Sequence, residues 1–293
     1  MSPTYRIPIT IADILIEVKS SYSASELGIE KRLGPFFGEP VDPVGRVSIE
    51  LRESTDVPVP RGEMIYDPGE IWKMYCDGEE YYAVIRYVSG HPTAGSEGLL
   101  QANCTWDIIR LAERKNGPNW ESLLNIGASE LVLRTKILFV DGLVFHACGV
   151  DDNGSGIVFL GHSGAGKSTL GRLWTGLSRV IVMNDDRIAV RVDKSGPICY
   201  GTPWAGQSEI ARNHSSPLAG IFLVEQAPEN ELRVLSRSIS APMLLARAFL
   251  PYWDRDLMKR ALANMNKILR TTSVYLLRCR PGTQVIPLVR SVL

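Results

Sequence analysis

The sequence predicts an α/β protein of two domains, a smaller β-rich one over residues 1–125 and a larger α/β one over 126–293. Three observations carry this. The stretch WKMYCDGEEYYAVIRYV sets an Asp77-Gly78 pair between two aromatic, β-rich runs, which is a hairpin signal. From about Trp120 short apolar runs alternate with helical patterns. Within that second region, IVFLGHSGAGKSTLGRLW runs an apolar strand into a glycine loop and then a helix.

The elements follow in order. Pro40, Pro43, Pro58 and Pro60 make the stretch before the hairpin loop-like. A helix is expected near Thr105–Lys115, and KNGPNW at Lys115–Trp120 reads as a linker or helix entry. A helix over Ala128–Val140 stops at Asp141-Gly142. Strands are expected at Leu143–Val150 and Ile157–Leu160, and a helix begins near Lys167. RVIVMN forms a short buried strand, RIAVRV an alternating one, and AGIFLVEQ a central one. Helices near Ala241–Leu250 and Asp254–Leu269 precede a last strand, SVYLLRCR.

Composition narrows the function classes. Basic and acidic residues balance at 32 each, which argues against a general nucleic-acid binder. The first twenty residues lack a basic region followed by an apolar one, with Asp13 and Glu17 interrupting them, so no signal peptide is expected, and no stretch of eighteen apolar residues exists, so no membrane span is expected. Five widely spaced cysteines without a CxxC pair read as reduced thiols of a cytoplasmic protein. The four histidines match no metal spacing.

Gly161-His162-Ser163-Gly164-Ala165-Gly166-Lys167-Ser168 matches GxxxxGK[ST] in full. The glycines let successive N–H groups turn inward, and the helix that follows adds its unpaired N–H groups and positive dipole end. Lys167 is expected to reach the outer phosphates and Ser168 to offer its hydroxyl to Mg²⁺, and Thr169 is expected among the nucleotide-binding residues with the loop. His162 occupies a variable position. No NKxD segment for reading guanine is present, so ATP is the expected nucleotide.

VIVMNDDRIAV ends an apolar strand on two acids, Asp185 and Asp186, beside the expected phosphates. One acid can hold Mg²⁺, and the other can take a proton from an attacking hydroxyl. His146, in LVFHACGV on the strand before the loop strand, can hold one carboxylate or share its proton.

Together FHACGVDDNGSGIVFLGHSGAGKS and NDDRIAV resemble the C-terminal domain of HPr kinase/phosphorylase, over about Leu131 to the C-terminus. YGTPWAG, FLPYWD and VYLLRCRP are similar to runs in HPr-kinase-like proteins of uncharacterised or peptide-modifying gene clusters. The resemblance implies a phosphoenolpyruvate-carboxykinase-like P-loop fold and phosphoryl transfer from ATP with Mg²⁺ to a serine-like hydroxyl. By position it implies Asp185 as the acid/base, Asp186 as the metal-side acid with Ser168, and His146 as the support of the first aspartate. The acceptor it implies is a serine-containing peptide, a protein or a small molecule. A homo-oligomer is the state it suggests, hexameric in HPr kinases. The loop here ends KST where HPr kinases carry an acid after the serine, and the N-terminal region does not read like theirs. Other readings of a phosphate loop are an ATP sensor or a simple ATPase.

Several residues stay open between structure and function. Trp204 lines a cleft or packs its loop against the core. Glu209 and Arg212, in QSEIARN, stand loosely where HPr kinases carry a glutamate and an arginine, and Arg212 and His214 contact phosphate or acceptor or lie on a solvated loop. Arg278 and Arg280 are expected on one face of an edge strand, and Asp254 as a helix cap.

Overall fold

The computed structural model describes residues 4–69, 72–86, 96–114, 121–125, 127–162, 164–280 and 282–293. It is a mixed α/β protein with two eight-stranded sheets. The chain divides into two compact units. Unit 1 is Met1–Phe139 with Tyr252–Arg255, and unit 2 is Val140–Pro251 with Asp256–Leu293. The division therefore falls after Phe139, not at residue 125, because the helix Gly127–Lys136 packs with the first sheet. Its Lys136 ammonium pairs with Asp107 and its Arg134 guanidinium lies 5.1 Å from the Trp72 ring.

Unit 1 opens with β1 (Tyr5–Ile11) and β2 (Ile14–Ser20), joined by a two-residue turn. Ala12 and Asp13 both take positive φ there, as a type I′ hairpin requires. After the short helix α1 (Glu30–Leu33) come β3 (Gly45–Glu53), β4 (Glu63–Tyr66), β5 (Trp72–Asp77), β6 (Glu80–Arg86), β7 (Glu97–Asn103) and β8 (Ile108–Arg114), then helix α2 (Gly127–Lys136). The sheet order is β1-β2-β3-β8-β7-β6-β5-β4, with β2, β3 and β8 mutually parallel and the rest antiparallel. The Asp77-Gly78 hairpin forms as expected, between β5 and β6.

The helix expected near Thr105–Lys115 is instead strand β8. Ile109, Leu111 and Glu113 are buried while Ile108 and Arg110 are exposed, a period of two that fits the slot between β3 and β7. Sheet context overrides the helix preference of Leu-Ala-Glu-Arg. The expected linker at 115–120 lies outside the described residues. Tyr252–Arg255 belongs to this unit through Trp253, whose ring meets Trp72 edge-on at 5.2 Å. Asp254 does precede a helix, and its carboxylate accepts the Tyr81 hydroxyl at 2.5 Å.

Unit 2 contains β9 (Gly142–Asp152), β10 (Ser155–Leu160), α3 (Lys167–Trp174), β11 (Val180–Asn184), β12 (Arg187–Asp193), β13 (Gly196–Gly201), β14 (Ser215–Gln226), β15 (Glu231–Val234), α4 (Arg237–Leu245), α5 (Arg255–Thr271), β16 (Val274–Cys279) and α6 (Val285–Arg290). The order is β10-β9-β12-β13-β14-β16-β15, with β11 on β9 and a second pairing of β10 with β14. β10, β14 and β16 run parallel, so their C-terminal ends share one rim, where the glycine loop leaves β10. A core of Phe159, Trp174 and Phe222 seats α3 on the sheet, with Phe159 5.2 Å from Trp174 and 5.7 Å from Phe222. Gly171 allows this approach, since a Cβ there would stand 2.5 Å from Cys148 Sγ.

Arg278 is not on an edge strand. β16 lies between β14 and β15, and the Arg278 guanidinium reaches Glu231 at 3.3 Å. Arg280 follows the strand and donates its backbone N–H to Asn230 at 3.3 Å. The fourth helix starts at Arg237 and ends at Leu245, because Ala248 pairs with Phe145 of β9. Among the described residues no helix is long and apolar enough to cross a membrane.

Candidate active site

The glycine loop is built by the end of β10 and the start of α3. Gly164 and Gly166 take φ of +78° and +99°, which favours glycine at both. Ala165 is buried and its N–H donates to His162 O at 3.1 Å, while Leu170 N–H to Gly166 O opens the helix. Gln226, from the end of β14, donates to Gly164 O at 2.8 Å and ties the loop to the neighbouring parallel strand. Ser163 lies outside the described residues. Lys167 is buried and donates to Gly161 O at 3.1 Å and His162 O at 3.2 Å. Burial pushes its ammonium below the usual lysine range, with Asp186 opposing.

A cavity of about 450 Å³ opens on this loop. Its walls include Gly164, Gly166, Lys167, Ser168 and Thr169 on one side, and His146, Asp185, Asp186, Gly206 and Gln207 on the other, with Arg172 also lining it. Five of the expected residues of loop and helix start and all three expected acid and imidazole groups thus line one hollow, and Gly161 accepts a hydrogen bond from Lys167 of that lining.

The two aspartates differ sharply. Asp185 is only 3% exposed, and its two oxygens accept the N–H groups of Gly206 and Ser208, each at 2.8 Å. Its backbone carbonyl lies 3.4 Å from the Ser168 hydroxyl. Asp186 is less buried, and its Oδ1 lies 2.9 Å from His146 Nε2 while Oδ2 pairs with the Arg187 guanidinium. His146 therefore meets the second aspartate, not the first. The reason is local: Arg187 and His146 are opposite one another in the β12–β9 ladder, and Asp186 precedes Arg187. Burial pushes the Asp186 carboxyl up, but the His146 hydrogen bond and the charges of Arg187, His146 and Lys167 outweigh it and leave it below the usual range.

Asn184 was not singled out by its sequence and holds the site together. It is fully buried. Its Oδ1 accepts the N–H groups of Asp186 and Arg187, each at 2.7 Å, and its Nδ2 donates to Thr202 O at 2.8 Å and Trp204 O at 3.2 Å. One amide thus fixes both the Asp-Asp turn and the loop over it. Gly206 is the close approach in that loop, since a Cβ there would stand 3.1 Å from Asp185 Oδ2 and from Asp186 Cβ. The only sequence signal for Asn184 was a polar side chain ending an apolar strand.

The open cases resolve individually. Trp204 is 2% exposed and packs in the core. His214 pairs with Asp151 at 2.7 Å, and neither it, Glu209 nor Arg212 lines the cavity. Asp152, next along, is held by Arg290 and by the Trp174 indole, which ties α6 and α3 to β9.

No family model matches the chain, and no curated protein matches it. Among solved structures it is similar to the Hpr(Ser) kinase/phosphatase from Coxiella burnetii, with 11% identity, 51% of this chain and 92% of that chain covered, and a TM-score of 0.29.

Proposed function

We propose that the protein is an ATP- and Mg²⁺-dependent phosphotransferase that moves the γ-phosphoryl group to a serine-like hydroxyl of a peptide, protein or small molecule. The observation that carries this is the His146–Asp186 pair in the same cavity as the glycine loop and Ser168. A protein that only binds nucleotide needs the loop, the lysine and the hydroxyl. A carboxylate held by an imidazole and facing the cavity adds a proton acceptor, which binding does not use.

In this reading the N–H groups of the loop and the start of α3 take the phosphates, with Lys167 turning from its loop carbonyls to the outer ones. The donor set fits Mg²⁺, which takes one or two carboxylates together with phosphate oxygens and water. Ser168 and the aspartates supply that, and among the described residues no larger cluster of His, Cys, Asp and Glu converges. When bound, the ion would neutralise phosphate charge. Because Asp185 is anchored through both oxygens beside Ser168, we assign it to the metal side, with Asp186 and His146 taking the proton. This exchanges the two roles that position in the sequence implies. The acceptor oxygen forms its bond to the γ-phosphorus as the bond to the β–γ bridging oxygen breaks. The electron pair leaves with ADP, and the hydroxyl proton passes to the Asp186–His146 pair.

The test follows the γ-phosphate label from ATP into a pool of serine-containing peptides and hydroxylated metabolites. Transfer should fall by about 10²–10⁴ in Asp186→Asn while nucleotide affinity is kept. Label released only as inorganic phosphate would make the protein an ATPase. Tight binding with no turnover would make it a sensor.

A further inference from the structure

The outer face of the unit 1 sheet carries none of the residues assigned above. Val47, Ile49 and Leu51 of β3 and Ile109 and Leu111 of β8 are buried, so Glu50, Arg52 and Arg110 alternate onto the other face. The register sets Glu50 against Arg110, Arg110 against Gln101, and Gln101 against Tyr82. In the next row Ala112 lies between Arg52 and Leu99, and its small side chain lowers the floor. The 54–61 loop adds a wall on one side and residues 20–22 another. Two hollows of about 590 and 720 Å³ result. They share Glu50, Arg52, Glu53 and Arg110, and so form one trough across the strands from β2 to β6.

The shape selects a long ligand. Crossing from β2 through β3, β8 and β7 to β6 spans about 19 Å, the length of roughly six residues of extended chain. The charges select its chemistry. Glu50 accepts Arg52 at 2.6 Å, Glu53 accepts the Tyr22 hydroxyl, and Glu80 accepts the Tyr82 hydroxyl at 2.5 Å. Arg61 and Arg110 are both exposed, and among the described residues they donate no hydrogen bond and form no ion pair. They act on Glu80 only through space, adding to the effect of Tyr82 and Gln101 in holding that carboxyl below its usual range. The trough's acids are engaged and its two uncommitted groups are guanidiniums, which match carboxylates as bidentate donors.

We propose that this trough binds an extended acidic segment of polypeptide, with carboxylates on Arg110 and Arg61. Arg110 and Arg61 line the same hollow of about 590 Å³ and both act on Glu80, so one segment can meet the two. Three glutamates along the trough oppose a continuous phosphate backbone, whereas a peptide presents its charges at intervals.

The experiment uses the full chain without nucleotide, so it is independent of the phosphotransfer reading. A fluorescein-labelled Glu-Gly alternating peptide of about eight residues is titrated by anisotropy beside its Lys-Gly counterpart. The acidic peptide should bind and the basic one should not, with affinity falling as salt rises. Arg110→Glu and Arg61→Glu should each weaken binding by about tenfold or more, at unchanged melting temperature. Arg61 lies in a loop and its side chain makes no hydrogen bond among the described residues, so its variant separates binding from folding. No binding of the acidic peptide overturns the proposal. So does binding that both variants leave intact, or an oligothymidylate of equal charge that binds as tightly with the same arginine dependence.

Discussion

Glu113 is a carboxyl placed where a carboxylate is costly, and this should appear as a pH-dependent loss of stability. It sits on β8 with no exposed surface. Its Oε2 accepts the Leu123 N–H at 2.8 Å, and Oε1 has no hydrogen-bond partner among the described residues. Burial raises it from an ordinary 4.5 to about 7, against the opposing hydrogen bonds of Leu123 and Ser122. A carboxyl raised in the folded state binds a proton more tightly there than in the unfolded chain. Its stabilising contribution is therefore complete below pH 4.5 and lost as pH rises through about 7. Between pH 5 and pH 8 the loss integrates to about 2–3 kcal/mol. The perturbation is Glu113→Gln, which keeps the shape and cannot ionise. Urea unfolding of the full chain, followed by circular dichroism at both pH values, gives the comparison. The variant should lose less stability than wild type over that interval, by about that amount. Parallel losses in the two proteins would refute the reasoning, and would mean that Glu113 stays ionised or reaches solvent.

Three further outcomes follow from the structure. Gly171→Ala should destabilise by about 1–3 kcal/mol through its clash with Cys148 Sγ, and Cys148→Ala should recover most of this in the double variant, measured by urea midpoints. Asn184→Ala should cost roughly 3–5 kcal/mol, because it strands two carbonyls and two N–H groups that are now paired, again read by unfolding. Lys167→Ala should weaken binding of a fluorescent ATP analogue by about tenfold or more while leaving the melting temperature within a few degrees, since the lysine's present bonds are only to two loop carbonyls.

Legibility from the sequence differed by region for physical reasons. In unit 2 the glycine loop, the strand before it and the helix after it were readable because each has a local cause: left-handed φ at Gly164 and Gly166, an apolar run, and a helical apolar stripe. The Asp77-Gly78 hairpin was readable because turn chemistry is local too. β8 was not, since Leu-Ala-Glu-Arg has helix preference and only its neighbours β3 and β7 make it a strand. Arg278 was misplaced for the same reason, as nothing in VYLLRCR announces that β15 will cover that side. The convergence of His146 with the Asp-Asp turn was expected, but which aspartate it meets depends on the β12–β9 register, which spacing does not encode.

Asn184, Asp185 and Asp186 make the point at the scale of three residues. All are short, polar and consecutive, and composition cannot rank them. Successive side chains at the end of a strand point different ways, so each enters a different environment. Asn184 turns inward, where only a side chain with both donors and acceptors can satisfy two carbonyls and two N–H groups at once. An aspartate in its place would lack the donors and carry a buried charge. Asp185 meets two N–H groups, which fix both of its oxygens in place. Asp186 meets a guanidinium and an imidazole at the cavity wall. The order Asn-Asp-Asp is therefore not interchangeable. The amide must come first because it caps the turn that aims the two acids, and the acids enter different surroundings only after that turn is made.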